Sequence, residues 1–226
     1  DAPGLAALAR AARDQASRHV VVAPHEQYSG CGHQVTTRRP LKLLRRTRDD
    51  DSAPWHALDG TPADCTRVGL LHLEPETEWV VAGINAGGNL GVDVYTSGTV
   101  AAVREAALLG RPAIAISQYV RRDLRLDWDR AARWAAEVIR ALTALPYTPG
   151  DYYNVNLPAP DHERDELPEL VHCALDANAM PVVFHDEDGH LHYRGVYQDR
   201  ARTPGSDVDV CFAGRIAVTR LSRRPV

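Results

Sequence analysis

The sequence predicts an α/β fold built around a largely parallel sheet. Three observations carry that expectation. Short continuous apolar runs at residues 19–23, 79–84 and 113–116 have the length and β-branched character of strands buried on both faces. Segments with helical spacing lie between and after these runs. Glycine, proline and polar residues gather at the junctions, where turns are needed. At 226 residues, 44% hydrophobic and 25% charged, the chain is long enough for one large domain with a substantial core.

The elements follow in order. Residues 3–17 place Leu5, Leu8, Ala9 and Ala12 at helical spacing, with Pro3 in the first turn. The strand at 19–23 comes next, and Pro24 opens a polar loop holding Tyr28-Ser29-Gly30-Cys31-Gly32-His33. Residues 35–44 read as extended, and the Asp-Asp-Asp-Ser stretch at 49–52 as a solvent loop. Thr61-Pro62-Ala63-Asp64 starts a helix to about residue 71, with Thr61 as its cap and Asp64 at the positive end. After the strand at 79–84, residues 100–109 form a helix closed by Gly110, and 113–116 a further strand. A long amphipathic helix covers 128–145, and residues 152–156 are a strand ended by Pro158. Beyond that the character changes. Residues 181–193 read as a hairpin turning at Asp188-Gly189, and 216–221 as a last strand. The chain is thus one domain, 1–226, with an α/β core over 1–158 and a hairpin-rich region over 159–226 suited to be an oligomerisation arm.

Composition removes several functions. Net charge is −4 and Lys42 is the only lysine, so there is no basic footprint for a nucleic-acid polymer. No apolar run approaches the roughly 20 residues that span a membrane. Cys31, Cys65, Cys173 and Cys211 are scattered with no C-x-x-C pair, which suits reduced thiols in a cytoplasmic protein.

The stretch from Val80 through Gly83-Ile84-Asn85-Ala86-Gly87-Gly88-Asn89-Leu90-Gly91 to Ser97-Gly98-Thr99 carries the chemistry. A buried strand runs into a glycine- and asparagine-rich loop and then a helix with small hydroxyl residues in its first turn. Unpaired N–H groups at a helix N-terminus attract an anion, and glycine lets the main chain approach it. An asparagine carbonyl can meet a hard cation such as Mg²⁺. The loop lacks G-x-G-x-x-G with its later acid and lacks G-K-[ST], so neither a dinucleotide fold nor a P-loop is predicted. In an α/β sheet ligands gather beyond the carboxyl ends of the strands, which brings the loops after residues 23 and 84, with Ser29 and Asn85, to one edge. His185, His190 and His192 read as polar positions of an exposed hairpin rather than metal ligands, and no serine occupies a G-x-S-x-G elbow.

Taken together these residues resemble the SurE family of 5′/3′-nucleotidases. The likeness runs in order through Asp1-Ala2-Pro3-Gly4-Leu5, Val22-Ala23-Pro24 with Tyr28 to His33, Gly60 to Cys65, and Gly83 to Gly91. It continues through Ser97 to Val100 with 102–110, Asn154 to Pro158, and Asp207 with Val218 to Leu221. The resemblance implies a three-layer αβα, Rossmann-like core and a C-terminal arm exchanged within a homodimer or homotetramer. It also implies hydrolysis of nucleoside 5′- or 3′-monophosphates with one divalent ion, Mg²⁺ or Mn²⁺, per subunit. Family metal ligands are two adjacent aspartates in an Asn-Asp-Asp-Gly motif, a serine matching Ser29 and an asparagine matching Asn85. The phosphate side falls on Gly88, Asn89, Ser97, Gly98 and Thr99.

Two departures bear on that implication. The aspartate motif and the family's first strand align ahead of Asp1, and Tyr28 stands where the family usually carries arginine. A phosphomonoester carries about two negative charges near neutral pH, and neutral Ser29 and Asn85 are poor holders of a divalent ion without carboxylates. The expectation is a nucleotidase whose aspartates lie upstream of these residues, so that the chain as given has little or no activity. The alternative is a catalytically inactive phosphate- or nucleotide-binding dimer.

Overall fold

A computed structural model describes residues 2–48, 51–121, 124–159, 166–180 and 182–223, with the side chains of 51 and 52 left aside. In chain order the elements are α1 (Pro3–Arg13), β1 (Val21–Pro24), β2 (Leu43–Arg48), β3 (Asp51–Leu58) and α2 (Pro62–Val68). Then come β4 (Val80–Ala86), α3 (Gly98–Leu108), β5 (Ala113–Gln118), α4 (Trp128–Thr143) and β6 (Asp151–Leu157). The chain ends with β7 (Leu170–His172), β8 (Phe184–Glu187), β9 (His190–Tyr193), α5 (Asp207–Phe212) and β10 (Ile216–Ser222).

The α/β class and its mainly parallel sheet are as expected. β4, β5 and β6 run parallel, while β10 pairs antiparallel with β6 and parallel with β7. β5 is buried along its whole length, and alternation sorts its side chains. Ile114 and Ile116 face α1 and α4, packing with Leu8, Trp134, Val138 and Leu142. Ala113 and Ala115 face α3, packing with Val100, Val103 and Ala106. Helices therefore cover both faces.

The first three strands form a second sheet, ordered β1-β3-β2, with β1 parallel to β3 and β2 antiparallel to it. Two sequence readings are corrected here. Asp51 and Ser52 belong to β3 rather than to a solvent loop (Asp49 and Asp50 lie outside the described residues), and β3 itself was not foreseen. Pro54 argues against a strand interior, but it sits where the β2–β3 register shifts, and a bulge is where a ladder tolerates proline. β7 and α5 are likewise additions. α1 ties the sheets together, burying Ala7, Leu8 and Ala11 in the main core and Ala9 against Val21 and Trp55.

The hairpin is where the Asp-Gly signal places it, although Pro181 lies outside the described residues. Asp188 (φ 54°) and Gly189 (φ 78°) form a two-residue turn with both residues left-handed, which matches the twist of the strands they join. Both of its strands are exposed throughout. Among the described residues no helix is long and apolar enough to cross a membrane.

Candidate phosphate site

The loop after β4 is fixed peptide by peptide. Asn85 Nδ2 donates to the Gly87 carbonyl (2.8 Å), and Gly87 N–H donates to the Gln118 carbonyl (2.9 Å). The Asn89 main chain is gripped by β6: its N–H donates to Asn156 Oδ1 (2.8 Å), and its carbonyl accepts from Asn154 Nδ2 (2.8 Å) and Asn156 Nδ2 (3.1 Å). Asn89 Nδ2 in turn donates to the Ser117 hydroxyl (2.7 Å). Leu90 N–H reaches Asp93 Oδ2 (3.3 Å) and Gly91 N–H reaches Asp207 Oδ2 (2.7 Å). Gly91 has to be glycine. Its φ is +53°, and a Cβ there would stand 2.9 Å from the Asp176 carbonyl oxygen. Among the described residues the Gly88 N–H has no partner, and Gly87's bond to Asn85 turns that planar peptide so the N–H points away from Asn85.

The second side of the site is the N-terminus of α3. Ser97 caps it, its hydroxyl oxygen accepting from Val100 N–H (3.1 Å), which leaves the hydroxyl proton free to donate. The N–H groups of Gly98 and Thr99 belong to the first turn, which has no intrahelical acceptor for them. The Ser29 loop lies over this turn. Gly32 N–H donates to the Thr96 carbonyl (2.9 Å), and a Cβ on Gly98 would stand 3.0 Å from Cys31 Sγ and 3.1 Å from Pro62 Cγ. The same loop is braced from α2, where the predicted cap appears as a full capping box: Thr61 accepts from Asp64 N–H, and Asp64 accepts from Thr61 N–H. Thr61 also donates to the Gln34 carbonyl (2.6 Å), and Asp64 accepts from Thr36 N–H (2.9 Å). Burial raises the Asp64 carboxyl, but these N–H bonds outweigh it and hold it below the usual range.

The seven sequence-predicted residues thus fall on three neighbouring segments. Gly88 and Asn89 are in the loop, Ser97, Gly98 and Thr99 head α3, and Ser29 is exposed on the loop that lies over them. Asn85, the penultimate residue of β4, has its amide nitrogen used and its Oδ1 free of any such bond. Asn89 serves mainly as a buried joint between β4, β5 and β6.

Other residues support this site, and of these the roles of Asn154, Asn156, Ser117, Tyr197 and Arg200 were not foreseen. Asn154 and Asn156 share one face of β6 and are fully buried, as is Ser117 opposite Asn156 on β5. The signal was available: two asparagines at alternate positions of an apolar strand need a shared partner. Asp93, Tyr197 and Arg200 form a second cluster. Asp93 Oδ2 accepts from the Tyr197 hydroxyl (2.7 Å) and from Arg200 Nη1 (2.7 Å), and the guanidinium stacks 4.8 Å above the Tyr197 ring. Burial, then the Asp93 charge, push the Tyr197 phenol up, so it stays a donor. Arg104 and Glu105 on α3 are internal. Arg104 donates to the Val94 carbonyl (2.8 Å) and the Tyr152 hydroxyl (3.2 Å). Glu105, 2% exposed, meets Arg67 (2.7 Å) and His33 (2.6 Å).

A divalent metal needs more than this donor set offers. Ser29 and Asn85 bring two neutral oxygens, and such an ion is normally held with carboxylates. Among the described residues no three His, Cys, Asp or Glu stand together as a metal-binding group. That includes the hairpin, where register sets His185 opposite His192 and Glu187 opposite His190. The residues present therefore do not make a metal site by themselves. The four cysteines are free thiols, and burial pushes each of them up, which keeps them protonated.

Residues 1–179 match the family model described as survival protein SurE. The chain belongs to the SurE family. The "Putative 5′-nucleotidase alr3139" of Synechocystis sp. is 48% identical over 221 residues, covering 98% of this chain and 94% of that protein. The "5′-nucleotidase SurE" of Paramagnetospirillum magneticum is 37% identical over 229 residues, covering 98% and 85%. The crystal structure of the SurE protein from Aquifex aeolicus superposes with a TM-score of 0.78 at 30% identity, covering all of this chain and 90% of that one. The SurE likeness thus extends over core and C-terminal region alike.

Proposed function

We propose that this SurE-family chain is the phosphate-holding part of a phosphomonoesterase that hydrolyses nucleoside monophosphates, in the first place 5′-monophosphates. The observation that carries the reading is the set of unspent donors. N–H groups of Gly88, Gly98 and Thr99, with the Ser97 and Thr99 hydroxyls, head a rigid loop and a helix N-terminus, the two features proteins use to hold phosphate. Relatives named 5′-nucleotidase supply the substrate class. The chain's residues bind and orient the phosphoryl group, and fixed N–H dipoles aimed at its oxygens stabilise charge that builds there.

In this reading Ser29 and Asn85 supply two neutral oxygens to a divalent ion, Mg²⁺ or Mn²⁺, whose carboxylates come from the family's adjacent aspartates ahead of residue 1. The strand carrying them would complete the core over 1–158 by pairing with β1 and β4, each of which ends its sheet with one edge unpaired among the described residues. The hairpin within 159–226 would serve a cytoplasmic homodimer or homotetramer, since Phe184, Leu191 and Tyr193 lie exposed on one of its faces.

Calorimetry with a nucleoside 5′-monophosphate, with and without Mn²⁺, tests this together with phosphate release. The chain as given is expected to bind the nucleotide in both conditions and to release little phosphate. A protein extended upstream through adjacent aspartates is expected to release it in Mn²⁺. Absence of nucleotide binding sinks the reading. Binding without release from the extended protein leaves only a nucleotide-binding dimer.

A further inference from the structure

Asp93 joins the two sides of the proposed cradle. Its side chain accepts from Leu90 N–H in the glycine loop, while its main-chain carbonyl accepts from Ser97 N–H (3.0 Å) and Thr96 N–H (3.1 Å) just before α3. The spacing between the Gly88 donor and the Gly98 and Thr99 donors therefore depends on where Asp93 sits. That position is set from outside the loop. Tyr197 and Arg200, more than a hundred residues later in the chain, both donate to the same oxygen, Asp93 Oδ2. The Tyr197 hydroxyl also lies 3.3 Å from the Gly88 carbonyl oxygen, so its single proton is shared between the loop and Asp93. A Cβ on Gly88 would stand only 3.2 Å from that hydroxyl. The Arg200 side chain is 4% exposed and that of Asp93 12%, so the charges neutralise each other away from water.

We propose that Tyr197 and Arg200 are positioning residues for phosphate binding, acting as a latch that sets the span of the cradle through Asp93. This deepens the phosphatase reading and rests on it. Neither side chain need touch the ligand. Tyr197 is itself seated between ring neighbours, with the tilted Tyr119 and Phe212 rings at 6.2 and 6.3 Å, so losing its hydroxyl leaves the ring's place intact.

The test is calorimetric titration of the full chain with inorganic phosphate and with a nucleoside 5′-monophosphate, alongside thermal melting. Tyr197→Phe removes one proton and oxygen and is expected to weaken phosphate binding about three- to tenfold, the range of one lost hydrogen bond. Its melting temperature should fall by only a few degrees. Arg200→Lys keeps the charge but gives up the planar fork, and a similar loss is expected. Because both act on one oxygen, the double variant should lose less than the product of the single effects. Two variants that melt lower yet bind phosphate within twofold of wild type overturn the latch alone. Wild-type chain that binds neither ligand overturns the phosphate reading, and the latch falls with it.

Discussion

Between Asn85 and Gly91 most backbone polar groups meet a named partner inside the protein, whereas between Tyr28 and His33 the chain is anchored mainly by Gly32 to Thr96 and His33 to Glu105. Both segments are rich in glycine and both border the same helix end. They differ in what surrounds them. The first is wedged among β5, β6 and the C-terminal region, so its bonds through Asn89, Leu90 and Gly91 are buried and costly to break. The second lies nearer the surface, with Ser29 exposed and making none of the bonds that hold its loop. A phosphate cradle gains from the first kind of construction, because donors fixed during folding need no ordering when the ligand arrives. The second kind suits a ligand group that another element still has to complete.

The largest expected effect tests the rigid side. Asn156→Ala removes both an acceptor for Asn89 N–H and a donor to its carbonyl, and leaves space in a fully buried position. Orphaned buried polar groups and a cavity together cost about 2–4 kcal/mol. Urea unfolding checks the loss, and phosphate titration should fall with it. A cost under about 1 kcal/mol would mean that β6 does not hold the loop.

Acid probes the same side from its outer support. Asp176 closes over Gly91 and gathers bonds from the Ser206 hydroxyl (2.7 Å), Thr203 N–H (2.6 Å) and Asn178 N–H (2.8 Å). Burial raises its carboxyl, but these bonds outweigh it and hold it at about 2, against an ordinary 3.8. The folded value lies below the unfolded one. Its contribution is therefore fully present above pH 4 and disappears as pH falls from 4 towards 2. The shift is worth about 2 kcal/mol. Neighbouring Asp207 is displaced upward by burial, the opposite sense, so the comparison must be made against a variant. Asp176→Asn should unfold with a shallower acid limb over that window. Parallel limbs for the two proteins would refute the assignment.

The difference between the two sides also marks what could be read in the sequence. The fold class, the Thr61 cap, the hairpin turn and the helix start at Ser97 follow from local patterns: apolar runs, capping chemistry, an Asp-Gly pair. β3 was hidden because its pairing with β1 and β2 outweighs the proline at 54, a preference that exists only in the folded sheet. Gly88 and Asn89 were identifiable as loop residues. The reasons they hold still were not, since Asn154, Asn156, Tyr197 and Arg200 make their contacts from positions 65 to 109 residues away. Nothing in local spacing encodes that encounter. The support that Asp176 and Asp207 give to Gly91 lies beyond local spacing for the same cause.

The smallest expected effect tests the exposed side. Ser29 is exposed, makes none of the hydrogen bonds that hold its loop, and is followed by Gly30 at φ +70°. Ser29→Ala should therefore alter unfolding stability by less than about 0.5 kcal/mol, as for most surface substitutions. Inorganic phosphate should bind to it as to wild type, because the donors lie on Gly88, Gly98 and Thr99. Its effect should appear only in the upstream-extended protein, as a weaker response of phosphate release to limiting Mn²⁺. A stability loss above 1 kcal/mol would place Ser29 in the framework rather than at the ligand, and the contrast between the two sides would no longer hold.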